Sequence, residues 1–242
     1  MAFLAGRNPV REAITAGRPI RRLLIAQGAS GTSELVRTAR DAGLRVDFVP
    51  RAKIDAKVPG IVHQGVVAEI GEFQYGDWRN GLALALEKGE VPLFLAIDGV
   101  TDPHNLGSLI RSAEAAGAHA VIVPKRRSAP VTPVVEKAAA GATAHLLVAQ
   151  VTNLERTLGE LKKEGVWIVA LDPDAKETVF DHALLAEPVA LVVGAEGPGV
   201  SRLVKERADA RLMIPMMGRT SSLNAGMAGA IALFEAVRKR FS

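Results

Sequence analysis

From residue 91 onward the chain contains six short continuous apolar runs: PLFLAID, HAVIVP, HLLVAQ, VWIVALD, PVALVVG and ARLMIP. A strand with one face in water alternates apolar and polar side chains, so runs apolar at successive positions are buried on both faces. Helical patterns separate these runs. Together they predict an α/β fold with a parallel sheet covered by helices on each side. In such a sheet, ligands bind beyond the carboxyl ends of the strands. Chemistry is therefore expected in the loops that follow Ile97, Val193 and Ile214.

The first 72 residues read as a smaller α/β unit. NPVREAITAG places Asn8 as a helix cap, Pro9 at the first helical position and Gly17 as a stop, and SELVRTARDAG repeats that grammar. IRRLLIA, LRVDFVP and HQGVVAEI read as strands. Residues 73–90 hold one short amphipathic helix between Gly76 and Gly89 and read as a joint. The expected division is thus a small domain over 1–72, a linker over 73–90 and a larger domain over 91–242.

Charge does little to narrow the function. The formal net charge is +4 with a sequence pI near 9.6, which permits a polyanionic partner without demanding one. In the small unit, Arg7, Arg11, Arg18, Arg21, Arg22, Arg37, Arg40, Arg45, Arg51, Lys53 and Lys57 form either a solvated face or a phosphate-binding surface. The absence of cysteine excludes disulfides and thiolate metal sites, and no histidine–carboxylate spacing suggests another metal site. No apolar run reaches the length of a membrane span, and Arg7 and Arg11 come too early for a signal peptide. A cytoplasmic protein is expected.

Three loops carry candidate chemistry. In DGVTDPHNLGSLIRSAEAAG, Asn105 reads as the helix cap and Arg111 follows six residues on. The residues alone leave open a plain capped helix, or an arginine meeting an anion or a ribose. VALVVGAEGPGVSRLV spaces Gly194, Gly197 and Gly199 as G-x-x-G-x-G, which has the wrong order and location for a dinucleotide fingerprint. Its Glu196 would repel phosphate and suits a cationic or hydrogen-bond-donating ligand. In IPMMGRTSSLNAGMAGAIALFE, capping accounts for one of Ser221, Ser222 and Asn224 but not for all three. Gly226 and Gly229 lie three apart in the same helix, where each costs about 1 kcal/mol relative to alanine. Such a pair admits another backbone or a flat ligand.

Taken in order, NLGSLIR, GAEGPG and IPMMGRTSSLN resemble the three motifs of the SpoU/TrmH group of the SPOUT superfamily, the S-adenosylmethionine-dependent RNA ribose 2'-O-methyltransferases. GRNPVREAI, HQGVVA and VPKRRSAPVTPVVEKAAAGA are similar to the members that modify guanosine in bacterial 23S ribosomal RNA. The resemblance covers nearly the whole chain.

It implies a methyltransferase domain tied in a trefoil knot, preceded by a small domain similar to ribosomal protein L30e that binds RNA. It implies S-adenosylmethionine held by backbone groups at Gly194, Ile214 and Leu223, no metal, and a homodimer with shared active sites. Catalytic positions carried over are Arg111, Asn105, Glu196, Ser222 and Asn224. Arg111 would bind the phosphate beside the ribose and stabilise the developing alkoxide, and Glu196 would orient Arg111 or the ribose. One departure stands out: a serine usual in the family is replaced here by Gly226. Other outcomes compatible with the sequence are methylation of tRNA or of another rRNA site, or a catalytically silent RNA-binding assembly protein.

Overall fold

The structure is a computed structural model that describes residues 2–16, 18, 20–71, 73–220 and 222–241. In chain order its elements begin with β1 (Ala2–Ala5), α1 (Arg7–Thr15), β2 (Ile20–Ala26), α2 (Ser33–Asp41), β3 (Val46–Val49), α3 (Arg51–Asp55) and β4 (Val66–Ile70). There follow α4 (Trp78–Lys88), β5 (Leu93–Asp98), α5 (Pro103–Ala115), β6 (Ala120–Pro124), α6 (Pro133–Ala138), β7 (Leu147–Val151), α7 (Leu154–Lys163) and β8 (Trp167–Leu171). The chain ends with β9 (Glu177–Thr178), β10 (Val189–Gly194), α8 (Arg202–Arg207), β11 (Ala210–Met213) and α9 (Ala225–Phe241).

These elements form two compact units, one of residues 1–74 and 131–145, the other of residues 75–130 and 146–242. The first holds a four-stranded sheet in the order β1-β4-β2-β3, antiparallel except for the β2–β3 pair. Apolar clusters lie on both of its faces. Leu23, Ile25 and Ala68 pack with Val10 and Ile14 of α1 and Leu35 of α2, while Leu24, Ala26 and Val67 pack with Ile54 of α3. Segment 131–145 belongs here rather than with the larger sheet. Glu136 of α6 pairs with Arg18, and His145 Nε2 lies 2.8 Å from Glu12 Oε2. Helix α1 starts one residue before Asn8, after Gly6 at φ 105°, so Pro9 occupies its third position. Its missing N–H costs nothing there, since amides of the first turn have no partner within the helix. The expected stop at Gly17 lies outside the described residues.

The second unit contains a seven-stranded sheet in the order β7-β6-β5-β10-β8-β11-β9, and every pair is parallel. All six apolar runs form strands of this sheet. Only β9, two residues long, had no counterpart in the sequence reading. On one face Phe94, Ala96, Ala120, Ile122, Ile168, Ala170, Ala190 and Val192 pack with Trp78 of α4, Leu154, Leu158 and Leu161 of α7, and Val204 of α8. Helix α4 is therefore part of this layer and not a joint: Trp78 is buried, and a Cβ at Gly81 would meet Ala120 at 3.0 Å. Asp77 caps its start, and Gly89 in the left-handed region ends it.

The opposite face is covered by α5 and α9, and there the two glycines of α9 find their use. A Cβ at Gly226 would lie 3.1 Å from the Ser108 Cβ, and one at Gly229 only 2.3 Å from Leu109 Cδ2 and 3.3 Å from Val193 Cγ2. The small residues let α9 approach α5 and β10 of its own chain. Of the two expected uses of the pair, close approach of another element rather than of a flat ligand is the one found.

Gly229→Leu should cost about 1–3 kcal/mol by overpacking this region. Adding Leu109→Ala should recover part of the loss in urea unfolding. No coupling between the two substitutions would place Gly229 against something other than α5.

Candidate active site

Loops after four strands meet at the carboxyl edge of the large sheet. Gly194 ends β10 directly beside Asp98, which ends β5. Beyond Gly194 the chain turns back sharply: Gly199 N donates to Ala195 O at 2.9 Å, and Ser201 N donates to Asp98 Oδ2 at 2.7 Å. A Cβ at Gly194 would fall 2.0 Å from Gly199 C and 2.1 Å from Val200 N, so only glycine fits. The fold-back lifts Glu196 to the exposed tip of the loop.

There Glu196 Oε1 accepts a 2.9 Å hydrogen bond from Asn105 Nδ2. This bond joins the first and second loops. Asn105 is free to make it because it is not the helix cap; Asp102 is, and its carboxylate accepts from His104 N and Asn105 N at 3.2 and 3.1 Å. Asn224 does serve as a cap, with its Oδ1 accepting from Met227 N at 2.7 Å. Near the position a Gly226 side chain would take, Asn224 Oδ1 and Asn105 Oδ1 lie at 3.6 and 3.8 Å. The serine usual at that position would touch both amides.

Beside this polar group opens a cleft with a cavity volume of about 140 Å³, continuous with solvent. Gly194, Ile214 and Leu223 all line it, as do Glu196 and Ser222. Leu171, Val193, Leu212 and Met216 add apolar wall. Ser221 lies outside the described residues.

The loop after β8 also lines the cleft, through Asp172 and Pro173, and the sequence reading missed it. A signal was present: WIVALD ends in Ala-Leu-Asp much as LFLAID ends in Ala-Ile-Asp. Asp172 is buried, and Lys205 Nζ donates to its Oδ1 at 2.8 Å. Burial pushes this carboxyl up, but the bonds from Lys205 and Asp174 N and the charges of Lys205 and Arg211 outweigh it. The group is held below the ordinary aspartate range.

Arg111 is not among the cleft-lining residues. Six residues past Asn105 it faces about 120° away around the helix, and it is exposed, with no hydrogen bond or ion pair among the described residues. No group of three or more histidine, cysteine or carboxylate side chains among the described residues could hold a metal, and no described helix is long and apolar enough to cross a membrane.

An apolar cleft at the carboxyl ends of parallel strands is where α/β enzymes commonly hold nucleoside-like cofactors. Residues 92–234 match the SpoU rRNA Methylase family, and residues 3–76 match the family described as RNA 2'-O ribose methyltransferase substrate binding. A Bacillus subtilis (strain 168) protein assigned to the TrmH family of tRNA/rRNA methyltransferases, YacO, is 41% identical over 240 residues, covering 98% of this chain and 96% of its own. The AdoMet-bound rRNA methyltransferase from Sinorhizobium meliloti superposes with a TM-score of 0.80 at 26% identity, over 100% of this chain and 88% of its own. The A. aeolicus TrmH/SpoU tRNA modifying enzyme covers 63% of this chain and 77% of its own, with a TM-score of 0.57 at 30% identity.

The chain belongs to the SpoU/TrmH family and is an S-adenosylmethionine-dependent RNA ribose methyltransferase.

The cleft fits that cofactor. Its apolar walls suit the adenine, and Glu196 stands at its edge, hydrogen-bonded to the neutral amide of Asn105. Gly194→Ala should disrupt the fold-back and weaken S-adenosylhomocysteine binding by about tenfold or more in calorimetric titration, since the added methyl would collide with main chain. Unchanged affinity would mean that the cleft forms without it.

Proposed function

We propose that the enzyme methylates the 2'-oxygen of a guanosine ribose in 23S ribosomal RNA and acts in the cytoplasm as a homodimer. The observation that carries the reaction is the Asn105–Glu196 hydrogen bond beside the cleft lined by Gly194, Ile214 and Leu223. The match of the S. meliloti rRNA enzyme over the full chain, against 63% for the tRNA enzyme, supports ribosomal RNA as substrate. The insertion of β10 between β5 and β8 supports the knotted path that the family resemblance implies.

Bound in the cleft, S-adenosylmethionine supplies an electrophilic methyl group, whose bond electrons return to sulfur as the ribose oxygen bonds to carbon. The protein must hold the 2'-oxygen in line and help remove its proton. Asn105 fixes the Glu196 carboxylate, which orients the ribose, while Ser222 and Asn224 complete the polar wall. A guanidinium is a poor general base, which suits Arg111 to charge stabilisation rather than to proton removal. Arg111 binds the phosphate next to the target ribose and stabilises the negative charge growing on the 2'-oxygen, and that phosphate assists loss of the proton to solvent.

The direction of Arg111, away from the Asn105 face, supports its service to the site of a partner subunit. Met227 and Phe234, exposed at 57% and 48%, lie seven residues apart on α9 and offer an apolar face for that partner.

In the small unit, Arg18, Arg22 and Arg45 are engaged in ion pairs, whereas Arg7 and Arg11 make none among the described residues. They line a pocket with Asn8, Gly31, Gln64 and the acidic Glu34, whose −1 against the two arginines leaves a formal +1. This supports Arg7 and Arg11 as phosphate-binding residues. Replacing both with alanine should weaken rRNA binding and lower the salt slope by about two, close to one for each phosphate no longer neutralised. An unchanged slope would make them solvated surface.

Arg111→Ala should leave cofactor affinity near normal and remove most turnover; wild-type turnover would exclude the role given to it. The proposal as a whole is tested by mapping 2'-O-methyl sites on ribosomal RNA from cells with and without the gene. Loss of one 23S guanosine methylation supports it, and an unchanged 23S map contradicts it.

A further inference from the structure

The segment VPKRRSAP leaves β6 at the carboxyl edge of the large sheet and takes no part in the cleft or the polar wall. Its Lys125, Arg126 and Arg127 are all exposed, and none has an ion pair or side-chain hydrogen bond among the described residues. By contrast, Arg156 pairs with Glu160, Arg202 with Glu206, Lys162 with Asp209 and Lys205 with Asp172 in the same unit. Three adjacent cations without counter-charges repel one another, which points to an anionic partner.

The loop is fixed at both ends. Lys125 N donates to Val151 O of β7 at 2.8 Å. Val100 O, in the loop after β5, accepts from Ala129 N at 2.9 Å and from Ser128 Oγ at 3.2 Å. Between these anchors Arg127 has φ 60°, in the left-handed region that residues other than glycine seldom adopt. Glycine would sit there without strain, so the arginine is carried at a conformational cost that its side chain must justify.

Position identifies the partner. In the sheet β6 lies next to β5, and β5 next to β10, so this loop is about two strand spacings of ~4.8 Å from the one that carries Glu196. The main chains are adjacent: a Cβ at Gly99 would lie 3.6 Å from Ala195 Cβ and 4.0 Å from Arg127 O. Carboxylates on the neighbouring loops face other groups. Asp98 accepts from Ser201 N, Asp102 from the amides of His104 and Asn105, and Glu196 from Asn105 Nδ2. The basic loop itself presents a formal +3. The cofactor cleft opens on the other side of β10, toward β8 and β11. An RNA strand that offers a ribose at Asn105 and Glu196 thus has the β6 side open to it. Guanidinium forks bind phosphate bidentately, and three consecutive cationic side chains suit a line of phosphates better than one small anion.

We propose that Lys125, Arg126 and Arg127 form an RNA-backbone site on the catalytic unit and bind phosphates of the strand that flanks the target ribose. This rests on the reading that methyl transfer occurs at the Asn105–Glu196 end. It is separate from the phosphate given to Arg111 and from the pocket of Arg7 and Arg11.

Two measurements on the full chain test it, with total RNA from cells lacking the gene as the probe. In filter binding across a salt series, Lys125→Gln/Arg126→Gln/Arg127→Gly should lower the salt slope by about two, at ~0.7 for each single-strand phosphate no longer neutralised. Its calorimetric affinity for S-adenosylhomocysteine should stay at the wild-type value, since the cleft is elsewhere. Arg126→Gln alone, a change on an exposed side chain, should lower the slope by about 0.7 even if the triple variant folds poorly. The second measurement locates the strand. The chain contains no cysteine, so Arg126→Cys creates a single thiol for an iron chelate that cleaves nearby RNA. Cuts should flank the nucleotide that the enzyme methylates in the same RNA. Cuts that flank a methylated nucleotide outside 23S RNA would contradict the substrate reading and leave this proposal standing. Unchanged salt slopes would overturn it and make the loop a site for something other than RNA, such as an acidic protein segment. Absent cuts, or cuts remote from the methylated nucleotide, would also overturn it.

Discussion

The site depends on a close approach of main chain to main chain at the end of β10. Gly199 and Val200 fold back onto Gly194 so tightly that no side chain fits between them. β10 is flanked by β5 and β8, so whatever fixes its end also positions the loops on either side. Asp98 of β5 provides the latch: its backbone oxygen accepts from Ala195 N, and its carboxylate accepts from Ser201 N. With both ends of the loop anchored to the neighbouring strand, Glu196 has little freedom and stands within reach of Asn105. A glycine-rich loop thus becomes a rigid support for one charged side chain.

The second constraint lies on the covered face of the sheet. Helix α9 carries Gly226 and Gly229 at a cost of about 1 kcal/mol each in helix propensity. What offsets it is close packing of α9 on α5 and β10, with Ala232, Leu233 and Ala236 fully buried. The same packing sets the Asn224 cap beside Asn105, so the polar start of α9 and the polar start of α5 form one wall. An otherwise plain packing helix carries small polar residues at its start for that reason.

The large fold was legible because its physics is local. Burial on both faces leaves continuous apolar runs, and parallel order follows from the helices between them, so six strands and the three functional loops could be read directly. What escaped depended on residues distant in the chain. Nothing near residues 131–145 announces that Glu136 will pair with Arg18. The amphipathic pattern of 78–88 does not reveal that Trp78 will pack under the sheet. Asn105 and Asp102 are both good caps, and only the fold shows that Asp102 takes the amides and leaves Asn105 for Glu196. Asp172 was visible as an acidic residue ending a strand, but its part in the cleft required β8 to lie next to β10. Gly194, Ile214 and Leu223, carried over by family resemblance, do line one cleft, while Arg111 stands apart from it for reasons of helical phase.

The central claim is that the cleft among the loops after β8, β10 and β11 holds the cofactor with its reacting end toward Asn105 and Glu196. A crystal structure with bound S-adenosylhomocysteine tests it most directly. The account predicts ligand density against Gly194, Ile214 and Leu223, with the sulfur on the Glu196 side. Density elsewhere, or in the cleft with the sulfur directed away from Glu196, would contradict it.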